Sequence, residues 1–306
     1  MHRISGTDCS NRRRFSIVAI VFATALLAWG AFVTSIDAGL AVPDWPSSFD
    51  SYDPFNPWPN WWKITPILAE HGHRLLGALV GLLMTVLAFW TWRSDKRKWM
   101  KRVALSALVL VVFQGVLGGL RVIWVSLDLA VVHAAVAQIF YSLLATLILF
   151  VSPVWERTVD RGYRTELQGL RSVMIRTVLA VYLQIILGAL LRHPGVGIDP
   201  IFAGLHLGFA FVAATAIFHM WLTIRMKHET ELDLRRFATW SLLILILQVA
   251  LGLFAYFILL DERGMVRPSN LQVVINSSHL VVGAMLLAST VVSMTLVFRL
   301  TSNRSS

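Results

Sequence analysis

Eight separate stretches of this chain are long and apolar enough to cross a bilayer as helices, and no other feature limits its fold as strongly. The hydrocarbon core is about 30 Å thick, so a spanning helix needs roughly 20 mostly apolar residues. The stretches are Phe15–Ile36, His71–Trp92, Val103–Val125, Leu127–Val151, Ser172–Leu191, Pro200–Ile224, Phe237–Leu260 and Leu271–Phe298. Composition points the same way, with 57% hydrophobic and 14% charged residues. Soluble domains carry about a quarter charged residues, and disordered chains are poor in apolar ones. The expected fold is therefore an all-α integral membrane protein of eight transmembrane helices. The first stretch follows Arg12, Arg13 and Arg14, as a signal core would. It is too long for one and no small-residue cleavage site follows Ile36, so it reads as a retained helix.

The net charge of +10, from 27 Lys and Arg against 17 Asp and Glu, would by itself suggest a nucleic-acid binder. Sorting the basic residues by connection changes that reading. Alternate connections and the two ends hold Arg3, Arg12, Arg13 and Arg14; Arg93, Lys96, Arg97, Lys98, Lys101 and Arg102; Arg157, Arg161, Arg164, Arg171 and Arg176; Arg225, Lys227, Arg235 and Arg236; and Arg299 and Arg304. The intervening connections hold only Lys63, Arg121, Arg192, Arg263 and Arg267, and Arg74 lies inside a span. Cytoplasmic loops carry the excess of Lys and Arg. The pattern thus places both termini in the cytoplasm of a multi-pass cell-membrane protein, with no nucleic-acid partner. Among the outer connections, Asp37–Glu70 is the long one. It is rich in proline and holds Trp45, Trp58, Trp61 and Trp62. It reads both as an interfacial aromatic belt and as a lid over a site on the outer face.

An internal repeat organises the spans. Gln-x-x-x-Gly occurs on three odd-numbered spans, as Gln114–Gly118, Gln184–Gly188 and Gln248–Gly252. Each even-numbered span carries a histidine near its outer end: His73, His133, His206 and His279. The chain reads as two pseudo-symmetric four-helix bundles, residues 1–151 and 172–306. Four spans separate the repeats, an even number, so both insert the same way up with the symmetry axis along the membrane normal. The glycines alone suit close helix packing.

The histidines carry the chemistry. His133, His206 and His279 lie roughly six to eight residues into their spans, or ~9–12 Å below the outer surface. His73 sits nearer its nominal start. One imidazole in a span is ordinarily polar glue between helices; four at one level form a pattern. His2, His71, His193, His219 and His228 fall outside it, His71 because it points about 200° away from His73 on a helix. Zinc or copper would usually recruit carboxylate or thiolate, yet only Glu70 is near and Cys9, the single cysteine, is distant. Haem iron takes two axial imidazoles, so two pairs match two haem positions, one per bundle. Arg74, Arg121 and Arg192 at the outer edge suit haem propionates or snorkelling to the interface.

The segments GLAVPDWP (Gly39–Pro46), EHGHRLLGALVGLL (Glu70–Leu83), VVHAAVAQ (Val131–Gln138), GLHLGFA (Gly204–Ala210) and HLVVGAML (His279–Leu286) resemble the haem A synthase family over essentially the whole chain. That resemblance implies an enzyme, an oxidoreductase that oxidises the C8 methyl of haem O to a formyl group by successive hydroxylations. Its product is haem A for terminal oxidase assembly. It implies that His73 and His133 bracket the substrate haem, that His206 and His279 ligate a haem b cofactor, and that Glu70 is catalytic. Implied partners are haem O synthase, cytochrome oxidase assembly factors and a membrane electron carrier, with a homo-oligomer as a candidate assembly. The chain departs from the family where Val42 stands in place of a common loop cysteine, and where Ile36-Asp37-Ala38-Gly39 replaces the usual Thr-Gly-Ser-Gly. Two other functions would use the same histidines: a membrane di-haem b electron-transfer protein, and a non-catalytic haem carrier or assembly factor.

Overall fold

The computed structural model describes residues 6–55, 57–156, 167–192, 200–228, 231–261 and 268–302. Those residues form eight long helices: α1 (Gly6–Ser35), α2 (Thr65–Ser94), α3 (Lys98–Ile123), α4 (Leu127–Phe150), α5 (Leu170–Arg192), α6 (Pro200–Lys227), α7 (Leu232–Asp261) and α8 (Asn270–Leu300). All eight contain windows apolar and long enough to span a membrane. A helix pairs its backbone N–H and C=O groups within the segment, which hydrocarbon requires. Serine and threonine hydroxyls fold back onto the carbonyl four residues earlier, as Thr24 does on Ile20 and Thr146 on Ser142. Polar residues are thereby tolerated in apolar helices.

The chain packs in sequence. Helices α1 to α4 each contact the next, and α4 returns to α1; α5 to α8 close in the same manner. The helix α8 also packs on α1 and α4, and α4 reaches α5. One buried core joins Met84, Phe140, Leu144 and Leu147 of the first four helices to Ala284 and Ala288 of α8. A second joins Met174, Ile217, Met220 and Leu296. Large apolar side chains also point outward, with Phe211 77% and Phe257 62% exposed. Water would not tolerate so broad an apolar surface, whereas acyl chains would.

Most of the helices run past the apolar stretches at one end or both. The difference that bears on the histidines is at α2, which begins at Thr65 and not at His71. Pro66 in its first turn follows the extended residue Ile64, a favourable start because proline there forfeits no helical hydrogen bond. Hydropathy marks where the lipid-facing run begins; the helical ladder continues into polar residues beyond it. The same reason extends α1 back to Gly6, α3 to Lys98, α6 on to Lys227 and α7 back to Leu232. Arg3, Arg157, Arg161, Arg164, Arg263, Arg267 and Arg304, which enter the charge sorting, lie outside the described residues, as do His2 and His193.

At the end of the bundle rich in basic residues, Arg12 of α1 is fully buried and donates to Asp95 Oδ2 at 2.8 Å. Arg97 reaches the same carboxylate at 2.7 Å and also donates to the Phe150 carbonyl. Burial alone would raise the Asp95 pKa. The hydrogen bonds from Arg97 and Arg12 outweigh it and hold the carboxyl below its ordinary value. This cluster ties α1, the α2–α3 turn and the end of α4 together.

Candidate functional site

The longer reach of α2 brings the four histidines into register. His73 lies eight residues into α2, His133 six into α4, His206 six into α6 and His279 nine into α8. At 1.5 Å per residue they form one layer ~9–14 Å from the helix starts. His219 and His228 sit toward the opposite end of α6 and take no part.

Each imidazole fills a notch left by a glycine on the preceding helix. A Cβ added to Gly30, Gly188 or Gly252 would lie 2.9 Å from Cε1 of His73, His206 or His279 respectively; at Gly118 the distance to His133 Cε1 would be 3.3 Å. The sequence pattern singled out three of these glycines. Gly30 escaped it because Leu26, and not glutamine, stands four residues before it. The glutamines reach the same histidines. Gln114 Nε2 donates to the His133 carbonyl at 3.0 Å, and Gln184 Nε2 to the His206 carbonyl at 2.9 Å. Gln184 also meets the His206 ring at Nδ1 (3.1 Å), and Gln248 meets the His279 ring at Nε2 (3.2 Å).

His206 and His279 face each other with ring centroids 6.3 Å apart and planes 79° apart. Imidazole–metal bonds of about 2.0–2.1 Å on either side of one ion, plus the two ring radii, put the centroids roughly 6 Å apart. The pair therefore has the span of two axial ligands on one iron. Three ring nitrogens, Nδ1 of His73, His133 and His279, are buried with no hydrogen-bond partner among the described residues. Such orphans are rare unless a ligand is missing. Among the described residues no three or more His, Cys, Asp or Glu converge. The three- or four-ligand cages that zinc prefers are therefore not seen among the described residues. Cys9 is at the other end of α1, donating to the Val151 carbonyl.

Above the first pair lies the connection from residue 36 to 64, and α2 pins it through three polar residues, Glu70, His71 and Arg74. Glu70 Oε2 accepts the Val42 N–H at 2.8 Å, and Oε1 accepts Arg74 Nη2 at 3.0 Å. Arg74 also donates to the carbonyls of Asp44 (2.7 Å), Ser47 (3.0 Å) and Val42 (3.0 Å). His71, which the helical wheel turns away from His73, contacts Ser48 Oγ through Nδ1 and the Pro54 carbonyl through Nε2, and its ring stacks edge-on against Trp61. Inside the loop, Asp44 accepts the amides of Phe49 and Asp50, both with positive φ, 53° and 58°. Partial burial alone would raise the Asp44 pKa. Hydrogen bonds from Ser47, Asp50 and Phe49 hold it below the usual carboxylate range. Trp45 packs flat on the Gly119 backbone, where any Cβ would overlap the ring. Trp58 and Trp62 are half exposed, as an interfacial belt requires.

The three arginines read as partners for propionates or as residues snorkelling to the interface divide. Arg74 is committed to the loop. Arg192 is half-buried and donates across to the Ala31 carbonyl and Ser35 Oγ of α1. Arg121 lies against Gly39, facing Glu70 and Asp37 electrostatically, and its guanidinium makes no hydrogen bond among the described residues.

Fold and site together define an eight-helix protein of membrane-spanning character in which four helices each present a glycine-notched imidazole at a similar depth. A family model described as cytochrome oxidase assembly protein (COX15-CtaA) matches residues 13–199. A protein named heme A synthase from Symbiobacterium thermophilum is 32% identical over 265 residues, covering 75% of this chain and 81% of that protein. Heme A synthases of Exiguobacterium sp. and Lysinibacillus sphaericus are each 30% identical, over 175 and 183 residues, spanning 54% and 57% of those proteins. The chain belongs to the COX15-CtaA cytochrome oxidase assembly family.

Proposed function

We infer that this chain is a haem A synthase, oxidising the C8 methyl of haem O to the formyl group of haem A through two hydroxylations and loss of water. The observation that carries the reading is the layer of four glycine-notched imidazoles, with one pair spaced for a single iron and the other beneath a pinned loop. In this reading residues 1–151 and 172–306 are the two four-helix bundles. The basic end faces the cytoplasm with both termini, and the loop end faces outward.

His73 and His133 are proposed to hold the substrate haem, and His206 and His279 a haem b cofactor. Bound there, haem b supplies the one-electron redox chemistry that side chains lack. The protein's own part is placement. The glycine notches set the depth of each ring, the loop 36–64 shields the first pair from water, and Arg121 offers a cation at the mouth. Glu70, three residues before His73 on the same face of α2, is proposed as the catalytic carboxylate. Val42 and Arg74 orient it before the substrate arrives. Haem O synthase, oxidase assembly factors and a membrane electron carrier are the partners this activity calls for, with a second copy of the chain as a candidate.

The test is conversion by the purified protein. Supplied with haem O and a redox partner, wild type yields hydroxylated haem O and haem A, while His73→Ala and His133→Ala yield neither. Turnover undiminished in both variants would refute the placement of the substrate.

A further inference from the structure

At the end of the molecule away from the histidine layer, α5 and α6 leave a groove of about 460 Å³ between them. Where they touch, the buried Thr177 of α5 reaches the Ala216 carbonyl of α6 at 3.2 Å. At 1.5 Å per residue, His219 lies about 4.5 Å and Arg176 about 1.5 Å from that contact toward the basic end. Thr215 lies about 1.5 Å and Phe211 about 7.5 Å the other way. All four line the groove and are exposed, and among the described residues no carboxylate lines it. Arg176 Nε donates to the Ser172 carbonyl at 3.2 Å, one turn nearer the basic end. Its two Nη nitrogens, the His219 ring and the Thr215 hydroxyl make no hydrogen bond among the described residues.

Three groups with unused hydrogen-bonding capacity thus face one lipid-side groove, where hydrocarbon offers them no partner. A long arginine reaches the interface by snorkelling, but an imidazole or a threonine hydroxyl is too short. The order along the groove is that of a phospholipid. Cation and imidazole stand at the mouth, the hydroxyl below them, and the apolar Val212 and Phe211 beyond. Basic pockets between spanning helices hold anionic headgroups in this manner. We propose that the α5–α6 groove binds one anionic phospholipid of the surrounding bilayer. Arg176 and His219 take the phosphate, Thr215 donates to a glycerol ester carbonyl, and one acyl chain runs over Val212 and Phe211. A zwitterionic headgroup would set its own ammonium beside Arg176 with no carboxylate to meet it, which makes the site selective. The bound lipid bridges α5 and α6 at the end opposite the histidines, and the inference is independent of the haem reading.

Lipid titration of the delipidated full-length protein in detergent tests it, with native mass spectrometry counting the lipids retained. Wild type should bind dioleoylphosphatidylglycerol saturably, with one tight molecule per chain, and dioleoylphosphatidylcholine roughly tenfold or more weakly. Arg176→Gln should weaken phosphatidylglycerol binding by roughly tenfold or more, the worth of a hydrogen bond to a charged group. His219→Leu and Thr215→Val should each weaken it by less. Val212→Trp, which fills the groove and leaves every charge in place, should abolish the tight site. Arg225→Gln is the control, since that arginine lies over the Trp221 ring and does not line the groove; it should bind as wild type does. If Arg176→Gln fails to fold, Val212→Trp and His219→Leu decide the matter. Equal affinity for the two lipids overturns the proposal, as does wild-type binding in both Arg176→Gln and Val212→Trp. A Val212→Trp protein that keeps its lipid but changes its oligomeric state overturns it too, because the groove then holds a second copy.

Discussion

Replacing Gly252 by alanine separates the stability of this protein from its capacity to hold haem. The new Cβ would stand 2.9 Å from Cε1 of His279 and 3.5 Å from its Nδ1. Carbon atoms rest comfortably at about 3.5–4.0 Å, so the ring must retreat by about 0.6 Å or more. Metal sites tolerate about ±0.2 Å in ligand distance, and the partner ring of His206 is already correctly spaced at 6.3 Å. Overpacking of this kind costs about 1–3 kcal/mol, equivalent to a roughly 5- to 150-fold loss of affinity. The helix itself gains, since alanine is favoured over glycine in a helix interior by roughly 0.5–1 kcal/mol. Gly252→Ala should therefore lower the haem-to-protein ratio and weaken the low-spin absorbance, while the melting temperature of the haem-free protein, where the helix gain offsets part of the same clash, falls only slightly. Gly208→Ala is the control. It lies on α6 two residues from His206, but its Cβ would meet nothing within 4 Å, so haem content should not change. Full haem content with an unshifted spectrum in Gly252→Ala would refute the notch argument.

Three further outcomes follow from the geometry. Arg74→Gln removes the donor shared by the Val42, Asp44 and Ser47 carbonyls, and bonds to a charged group are worth about 1.5–3 kcal/mol each. Hydrogen exchange at residues 42–54 should rise by at least tenfold while exchange in α5–α8 is unaffected; unchanged loop protection would show that Arg74 is not its clamp. Asp95→Asn takes the carboxylate from a buried pair, a loss of about 3–5 kcal/mol, read as a lower melting temperature in detergent. In wild type the Asp95 pKa is depressed, so its contribution is complete above the unfolded value of about 3.9 and is lost as pH falls through the folded one. Melting temperature should thus fall below about pH 4 more steeply in wild type than in Asp95→Asn, and parallel pH profiles would contradict that assignment.

The eight helices were legible because hydrocarbon enforces a minimum apolar length, and the histidine layer because side chains near the outer ends of alternate spans fall at one depth. The start of α2 was not, since hydropathy records where lipid begins and not where Pro66 lets the helix start. That offset of six residues had left His73 out of line. Gly30 was missed because the search followed glutamine and α1 has Leu26 in that place. The roles of His71 and Arg74 were beyond reach for a different reason. Beyond Glu70 and the Ser48 hydroxyl, their partners are backbone carbonyls of Val42, Asp44, Ser47 and Pro54, and no side-chain pattern announces a carbonyl. Arg192, expected at a propionate, turned out to reach α1, a long-range contact that follows only from how α5 packs beside it.

The account stands most directly on what haem the chain makes. Expressed together with haem O synthase in a host that lacks haem A, the protein should yield membranes whose extracted haems include haem A or hydroxylated haem O. Extracts holding only haem B and haem O, from cells in which the protein is folded and inserted, would contradict it.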